Sequence, residues 1–276
     1  MNRSVALLLT LLLAGCASHG PAETPTDMTR YQVRQTCGGR LNCFTGIQAA
    51  LDASERDVSQ LWIRVDVPAG DFHEKVTIRR SRVHLQGAGL KRTRLHFDAV
   101  AQDAGRFHRD RWGTAGSATL TINADQVTVS GMMVANTFDY LANDALQDSD
   151  PRKIANSQAL AVLLDVRSDR VLLDQVALVG YQDTLFGNGK RALVRNSFIS
   201  GNVDFIFGNG QLLIVDSTIE SRRRTAVFKL GEFQSFIVAP STQLSQPMGI
   251  VIYRSRLTRE PGVPDGSVGL GRPWHP

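Results

Sequence analysis

The stretch GYQDTLFGNGKRALVRNSFISGNVDFIFGNGQLLIVDSTIE, residues 180–220, decides the fold. It contains two short β-rich runs, Ala192 to Ile199 and Leu212 to Ile219, and two aspartates, Asp183 and Asp204, set 21 residues apart. Working outward, comparable runs lie at Val76 to Leu85, Ala118 to Val134, Leu160 to Leu178 and Gly249 to Leu257. Aligned on the turn inside each run, Gly87, Gly131, Gln175, Ser197, Ser217 and Ser255 follow at intervals of 44, 44, 22, 20 and 38 residues. These are one or two times a unit of about 20 residues, the signature of a solenoid whose coils pair only with their neighbours. Short strands with small or polar corners at that period predict an all-β chain, a right-handed parallel β-helix. An antiparallel sandwich is the alternative, but it calls for tight hairpin dipeptides between most strands, and few are present. A helical pattern at Gly46 to Ser54, with Thr45 as candidate N-cap, precedes the repeats.

Composition bounds the rest. The chain has 276 residues, 42% hydrophobic and 21% charged, which excludes disorder along its whole length. Its one long apolar run falls in the first 16 residues, too short to span a bilayer, so a polytopic membrane protein is excluded. A formal net charge of +5 favours acidic partners. The longest basic run, Arg222 to Arg224, carries no interleaved aromatics, so no nucleic-acid partner is expected; an acidic polysaccharide or a membrane surface suits the charge.

Arg3, the apolar run Val5 to Leu13 and the small residues Ala14 and Gly15 read as a secretory signal over residues 1–15. Leu13-Ala14-Gly15-Cys16 resembles the lipobox of bacterial lipoproteins, in which the cysteine is acylated and becomes the new amino terminus. Ala17 after it resembles the outer-membrane sorting pattern, so a lipid-anchored protein of the cell outer membrane is expected, with residues 16–30 as a flexible tether. Cys37 and Cys43 are then in an oxidising compartment and are a candidate disulfide. No CxxC or Cys/His cluster suggests a metal site.

Candidate chemistry gathers on two neighbouring coils. At one-repeat spacing, Asp183 and Asp204 occupy adjacent rungs about 4.8 Å apart. Gln158, 24 residues before Gln182, places a second amide on the rung before. Both aspartates lie among apolar residues, Asp183 with Tyr181, Leu185 and Phe186, Asp204 with Val203, Phe205, Ile206 and Phe207. Carboxylates in such company are paired or shifted in pKa, and two held close need different surroundings for one to act as acid and the other as base or nucleophile. A lone Asp in a β-helix usually shapes a turn, and a lone Gln forms a ladder or faces solvent; coordinated spacing is what favours chemistry here.

These motifs resemble the pectin methylesterase (pectinesterase) family. The resemblance runs from about Cys43 to Trp274, through TGIQAALDAS (45–54), PAGDFHEKVTI (68–78), GTAGSATLTI (113–122), Gln158, GYQDTLF (180–186), GNVDFIFG (201–208) and LGRPW (270–274). It implies the right-handed parallel β-helix over residues 31–276. It implies that Asp204 attacks the methyl ester of a galacturonate unit and that Asp183 protonates the departing methanol and then activates water. Gln158 and Gln182 would donate to the tetrahedral oxyanion, and Arg272 would hold and orient Asp204. Trp274 would stack on a sugar ring, and Thr114, with Gln158 and Arg272, would contact substrate. The implied partner is methyl-esterified pectin or its oligogalacturonides, with no metal or organic cofactor, and a monomer is expected. Family members continue beyond the position of Pro276, so the solenoid is expected to lack its C-terminal coils. Two other readings stay open: a galacturonan-binding surface lipoprotein with impaired catalysis, and an acyl-thioester hydrolase of a related lipoprotein branch.

Overall fold

The computed structural model describes residues 28–105, 113–226, 228–229 and 231–274. The signal segment 1–15, Cys16 and tether residues 17–27 lie outside them. Met28, Thr29 and Arg30, expected in the tether, instead open the strand Met28–Val33. Tyr31 and Val33 turn into the core there, and the strand pairs in parallel with Trp62–Asp66.

All pairings between named strands are parallel, in one sheet of 14 strands and one of seven, which is the layout of a parallel β-helix. Along the first face run Trp62–Asp66, Val83–Gln86, the start of Val127–Asn136, the start of Val171–Val179, Arg191–Arg195, Gln211–Val215 and Ile250–Tyr253. The long strands bend through a corner, and their second halves continue a face with Thr93–Phe97, Phe198–Gly201, Thr218–Ser221 and Arg256–Arg259. The seven-stranded sheet stacks Val76–Ile78, Leu120–Ile122, Val162–Leu164, Leu185–Gly187, Ile206–Gly208, Ser235–Pro240 and Val268–Gly271.

Alternation builds the core, because successive strand side chains point to opposite faces. Val65, Leu85, Val129, Leu173, Val194 and Ile214 are register partners on successive coils, and all are buried. The corner is marked by left-handed backbone at Gly131, Gln175, Asn196, Asp216 and Arg254, with φ between 47° and 63°. The turn phase expected at Ser197, Ser217 and Ser255 is therefore one residue late. Those serines form a ladder beside the corner instead. Ser197 Oγ accepts the N–H of Val176 at 3.1 Å, Ser217 Oγ that of Ser197 at 3.1 Å, and Ser255 Oγ that of Ser217 at 3.2 Å.

The helix Ile47–Glu55 packs Ile47, Ala50 and Leu51 over the first coils. Its N-cap is Gly46 and not Thr45, and the orphan N–H groups of Ile47 and Gln48 donate to the Glu74 carboxylate, each at 3.0 Å. A carboxylate at that end also complements the helix dipole. Cys37 and Cys43 are joined in a disulfide next to this end, with Cα atoms 5.4 Å apart.

Candidate active site

The paired strands Leu185–Gly187 and Ile206–Gly208 put Leu185 opposite Ile206, so the residues two places earlier, Asp183 and Asp204, face each other across one coil spacing. The Asp183 N–H donates to Val203 O at 3.1 Å. Both aspartates have left-handed backbone, φ 64° and 50°, a conformation Asp tolerates better than most non-glycine residues. Glycine opens each motif for space: a Cβ on Gly201 would stand 2.3 Å from the Phe205 Cβ and 2.6 Å from Tyr181 O.

The two carboxyls have opposite surroundings. Asp183 is 8% exposed, and its pKa is raised well above the usual value, first by burial and then by the charge of Asp204, with Arg272 opposing. It is the member of the pair that holds a proton. Arg272 grips Asp204 with both arms of its guanidinium, Nε to Oδ1 at 2.8 Å and Nη2 to Oδ2 at 2.6 Å. Such a bidentate pair fixes orientation as well as charge. Arg272 follows the last strand, Val268–Gly271, two coils beyond Asp204, and its side chain reaches back past the Phe236 ring, with the guanidinium carbon 4.7 Å from the ring centroid.

The two glutamines lie on the adjoining segments. Gln182 Oε1 accepts from Ser157 Oγ at 3.2 Å, which leaves its amino group as the free end of the amide. The side chain of Gln158 forms no hydrogen bond among the described residues, and its Oε1 is buried. Both amides can supply N–H donors to a ligand without breaking an internal bond. Neighbouring backbone ties the segments together, Ala159 N–H to Gln182 O at 3.3 Å.

An aromatic floor adjoins the carboxyls. Phe186 and Phe207 project outward from successive strands and stack with centroids 4.3 Å apart. Trp274 sets its ring edge-on to both, at 6.2 and 5.5 Å. Trp274 is thus seated on the protein itself. Thr114 lies in the short helix Gly113–Gly116, which packs against Ala101–Ala104 so closely that a Cβ on Gly116 would stand 1.9 Å from Ala104 O. Ser117, just after that helix, accepts the Leu160 N–H on its Oγ at 3.0 Å, which places Thr114 on the Gln158 side of the site.

The segments 101–112 and 137–157, which read as long polar loops, contain the helices Ala101–Ala104 and Tyr140–Asp144; residues 106–112 lie outside the described set. Tyr140 stacks on Tyr181 at 5.2 Å, and the other contact of Tyr181 is the Arg222 guanidinium, 3.7 Å over its ring. Burial is the main cause that pushes the Tyr140 phenol up to about 12. Asp144, its side chain 5% exposed, receives Arg224 Nη2 at 2.7 Å and the N–H groups of Thr225 and Ala226 at 2.8 and 2.9 Å. These bonds tie the 137–157 segment to the 222–226 segment across one wall of the site.

Sequence reasoning brought Asp183, Asp204, Gln158, Gln182 and Arg272 together correctly but missed Ser157, Phe236, Tyr140 and Asp144. Phe186 and Phe207 carried a usable signal, the same 21-residue spacing as the aspartates. The others carried none, because each acts through a partner remote in sequence. Among the described residues, no group of three or more His, Cys, Asp or Glu side chains could hold a metal ion.

The family model for pectinesterase matches residues 37–276. Pectinesterase A of Dickeya dadantii is 43% identical over the whole of this chain and 74% of its own length. A solved pectin methylesterase in complex with a hexasaccharide superposes with a TM-score of 0.80 at 37% identity, over 89% of this chain and 71% of that one. The pectin methylesterase from Yersinia enterocolitica gives 0.76 at 37% identity, over 84% and 71%.

Proposed function

The chain belongs to the pectinesterase family, and we propose that it removes methyl esters from galacturonate units of pectin with Asp204 as nucleophile and Asp183 as acid and base. The observation that carries this reading is the asymmetry of the pair: Arg272 holds one carboxylate by both oxygens while burial keeps the other protonated.

Asp204 attacks the ester carbonyl carbon, and the oxyanion that forms receives N–H donors from Gln158 and Gln182. As the intermediate collapses, the bond to the methoxy oxygen breaks and the Asp183 proton passes to it, releasing methanol. The acyl group is left on Asp204 as an anhydride. Asp183, now a carboxylate, takes a proton from water, whose oxygen attacks the acyl carbon. Galacturonic acid leaves, its proton passes to solvent, Asp204 is free again and Asp183 is reprotonated. Trp274 and the stacked Phe186 and Phe207 offer apolar ring surface to a sugar, and Thr114 borders the opposite side. Both carboxyls, the arginine and both glutamines come from one chain, which supports action as a monomer.

The test is methanol release from methyl-esterified pectin. Asp204→Ala should abolish it and Asp183→Asn should nearly do so. Galacturonan binding without methanol release, or acyl-thioester hydrolysis that outpaces it, would overturn the reading. We also propose that the Leu13 to Cys16 motif anchors the protein to the outer membrane. Cys16→Ser should then move the protein from the membrane to the soluble fraction.

A further inference from the structure

We propose that Phe236 is a positioning residue for this reaction, its ring holding the Arg272 guanidinium in the orientation that grips Asp204 from two coils away. The inference rests on the reading of Asp204 as nucleophile.

Arg272 needs such a guide. Its side chain is 46% exposed against 15% for Asp204, and Asp204 is its sole hydrogen-bond acceptor among the described residues. A long, half-solvated arginine with one partner samples many rotamers, and exposed ion pairs of this kind are weak on their own. The backbone of Arg272 is fixed by its N–H bond to Val238 O at 3.0 Å, but the side chain must still turn back across a whole coil. Along that path lies Phe236, with the guanidinium 4.7 Å from its ring centroid, within range of cation–π attraction.

The ring is itself held in place. Gly269, its register partner on the next coil, leaves room for it: a Cβ there would stand 2.7 Å from two ring carbons. Phe233 packs beside it at 5.3 Å. The Phe236 N–H donates to Asn202 O at 3.1 Å, and Ser235 Oγ to the same oxygen at 2.5 Å. Asn202 in turn accepts the Val203 N–H on its Oδ1 at 2.7 Å, directly before Asp204. The platform under the arginine and the turn that carries the aspartate are thus fastened to one residue.

A double-mutant cycle on methanol release tests this, because a residue that acts through Arg272 has no effect once Arg272 is gone. In the Arg272 protein, Phe236→Leu should lower kcat about three- to thirtyfold, the span of one cation–π contact, with KM little changed. Phe236→Tyr, which keeps a ring, should restore the rate. In the Arg272→Ala background, Phe236→Leu should change kcat by less than about twofold. Equal losses in both backgrounds, or no loss in the Arg272 protein, would overturn the inference. Far-UV circular dichroism and Tm establish folding, and Phe236→Met replaces the leucine variant if that one does not fold. Asp204→Asn run in parallel separates the two claims: full turnover there would refute the nucleophile assignment itself, whatever the cycle shows.

Discussion

Asp183 and Asp204 stand at one register position on adjacent coils with nearly the same left-handed backbone, yet the first is buried and the second is held by Arg272. The solenoid supplies the proximity, and the unlike surroundings divide the roles. A raised carboxyl pKa is a cost that grows with pH, since the folded state then favours the proton more than the unfolded state does.

For Asp183 the stability owed to the protonated form is complete below the unfolded pKa, about 3.9, and is lost as pH rises through the higher folded value. Asp183→Asn keeps the shape and cannot ionise. Its Tm should match the parent near pH ~4 and exceed it at pH ~8, while methanol release falls about 10²- to 10⁴-fold. A variant less stable than the parent at the higher pH would refute the burial argument. By the same logic, kcat/KM of the parent should decline on the alkaline side as Asp183 loses its proton.

Ser157 orients Gln182, and the bond it makes is to the amide oxygen, so it acts on the donor end at one remove. Gln182→Ala should lower kcat about 10²- to 10³-fold. Ser157→Ala should cost several-fold in kcat, and adding it to Gln182→Ala should cost nothing more. Additive losses in steady-state kinetics would mean that the serine acts elsewhere.

Asp144 clamps one wall of the site, and removing its carboxylate strands the Arg224 guanidinium and two backbone N–H groups. Asp144→Ala should destabilise the fold by about 3–5 kcal/mol in urea unfolding. Burial works to raise this carboxyl, but Arg224 and the Ala226 and Thr225 N–H groups together hold it low. The stability it contributes is therefore present above the unfolded pKa and is lost as pH falls through the folded value. The gap between parent and variant should narrow in acid.

Gly116 meets backbone and not a side chain that can swing aside, its added Cβ falling 1.9 Å from Ala104 O. Gly116→Ala should push the helix that carries Thr114 away from its neighbour and cost about 1–3 kcal/mol. Thermal denaturation and the KM for pectin read the two effects separately; an unchanged Tm would show that the helices separate freely.

The pitch of the solenoid was legible because each coil repeats in 20 or 21 residues and each strand alternates its side chains. The corner was misplaced by one residue because left-handed backbone is filled here by Gly, Gln, Asn, Asp and Arg, which share no visible type, whereas the serine beside it recurs. Met28–Val33 was read as tether because its composition resembles one, and its partner Trp62–Asp66 lies some thirty residues on. The helix cap was misread for the same reason, Glu74 arriving from 27 residues beyond Ile47.

What the sequence by itself determined was the repeat, the family and the identity of the two aspartates, two glutamines and one arginine, since periodicity and side-chain chemistry are properties of the chain read in order. Which carboxyl is buried, how Arg272 reaches the other across 68 residues and what ring lies beneath it were decided only by the tertiary structure. Burial and charge are set by distance in space, and stacked coils bring together residues whose separation along the chain says nothing of who will be beside whom.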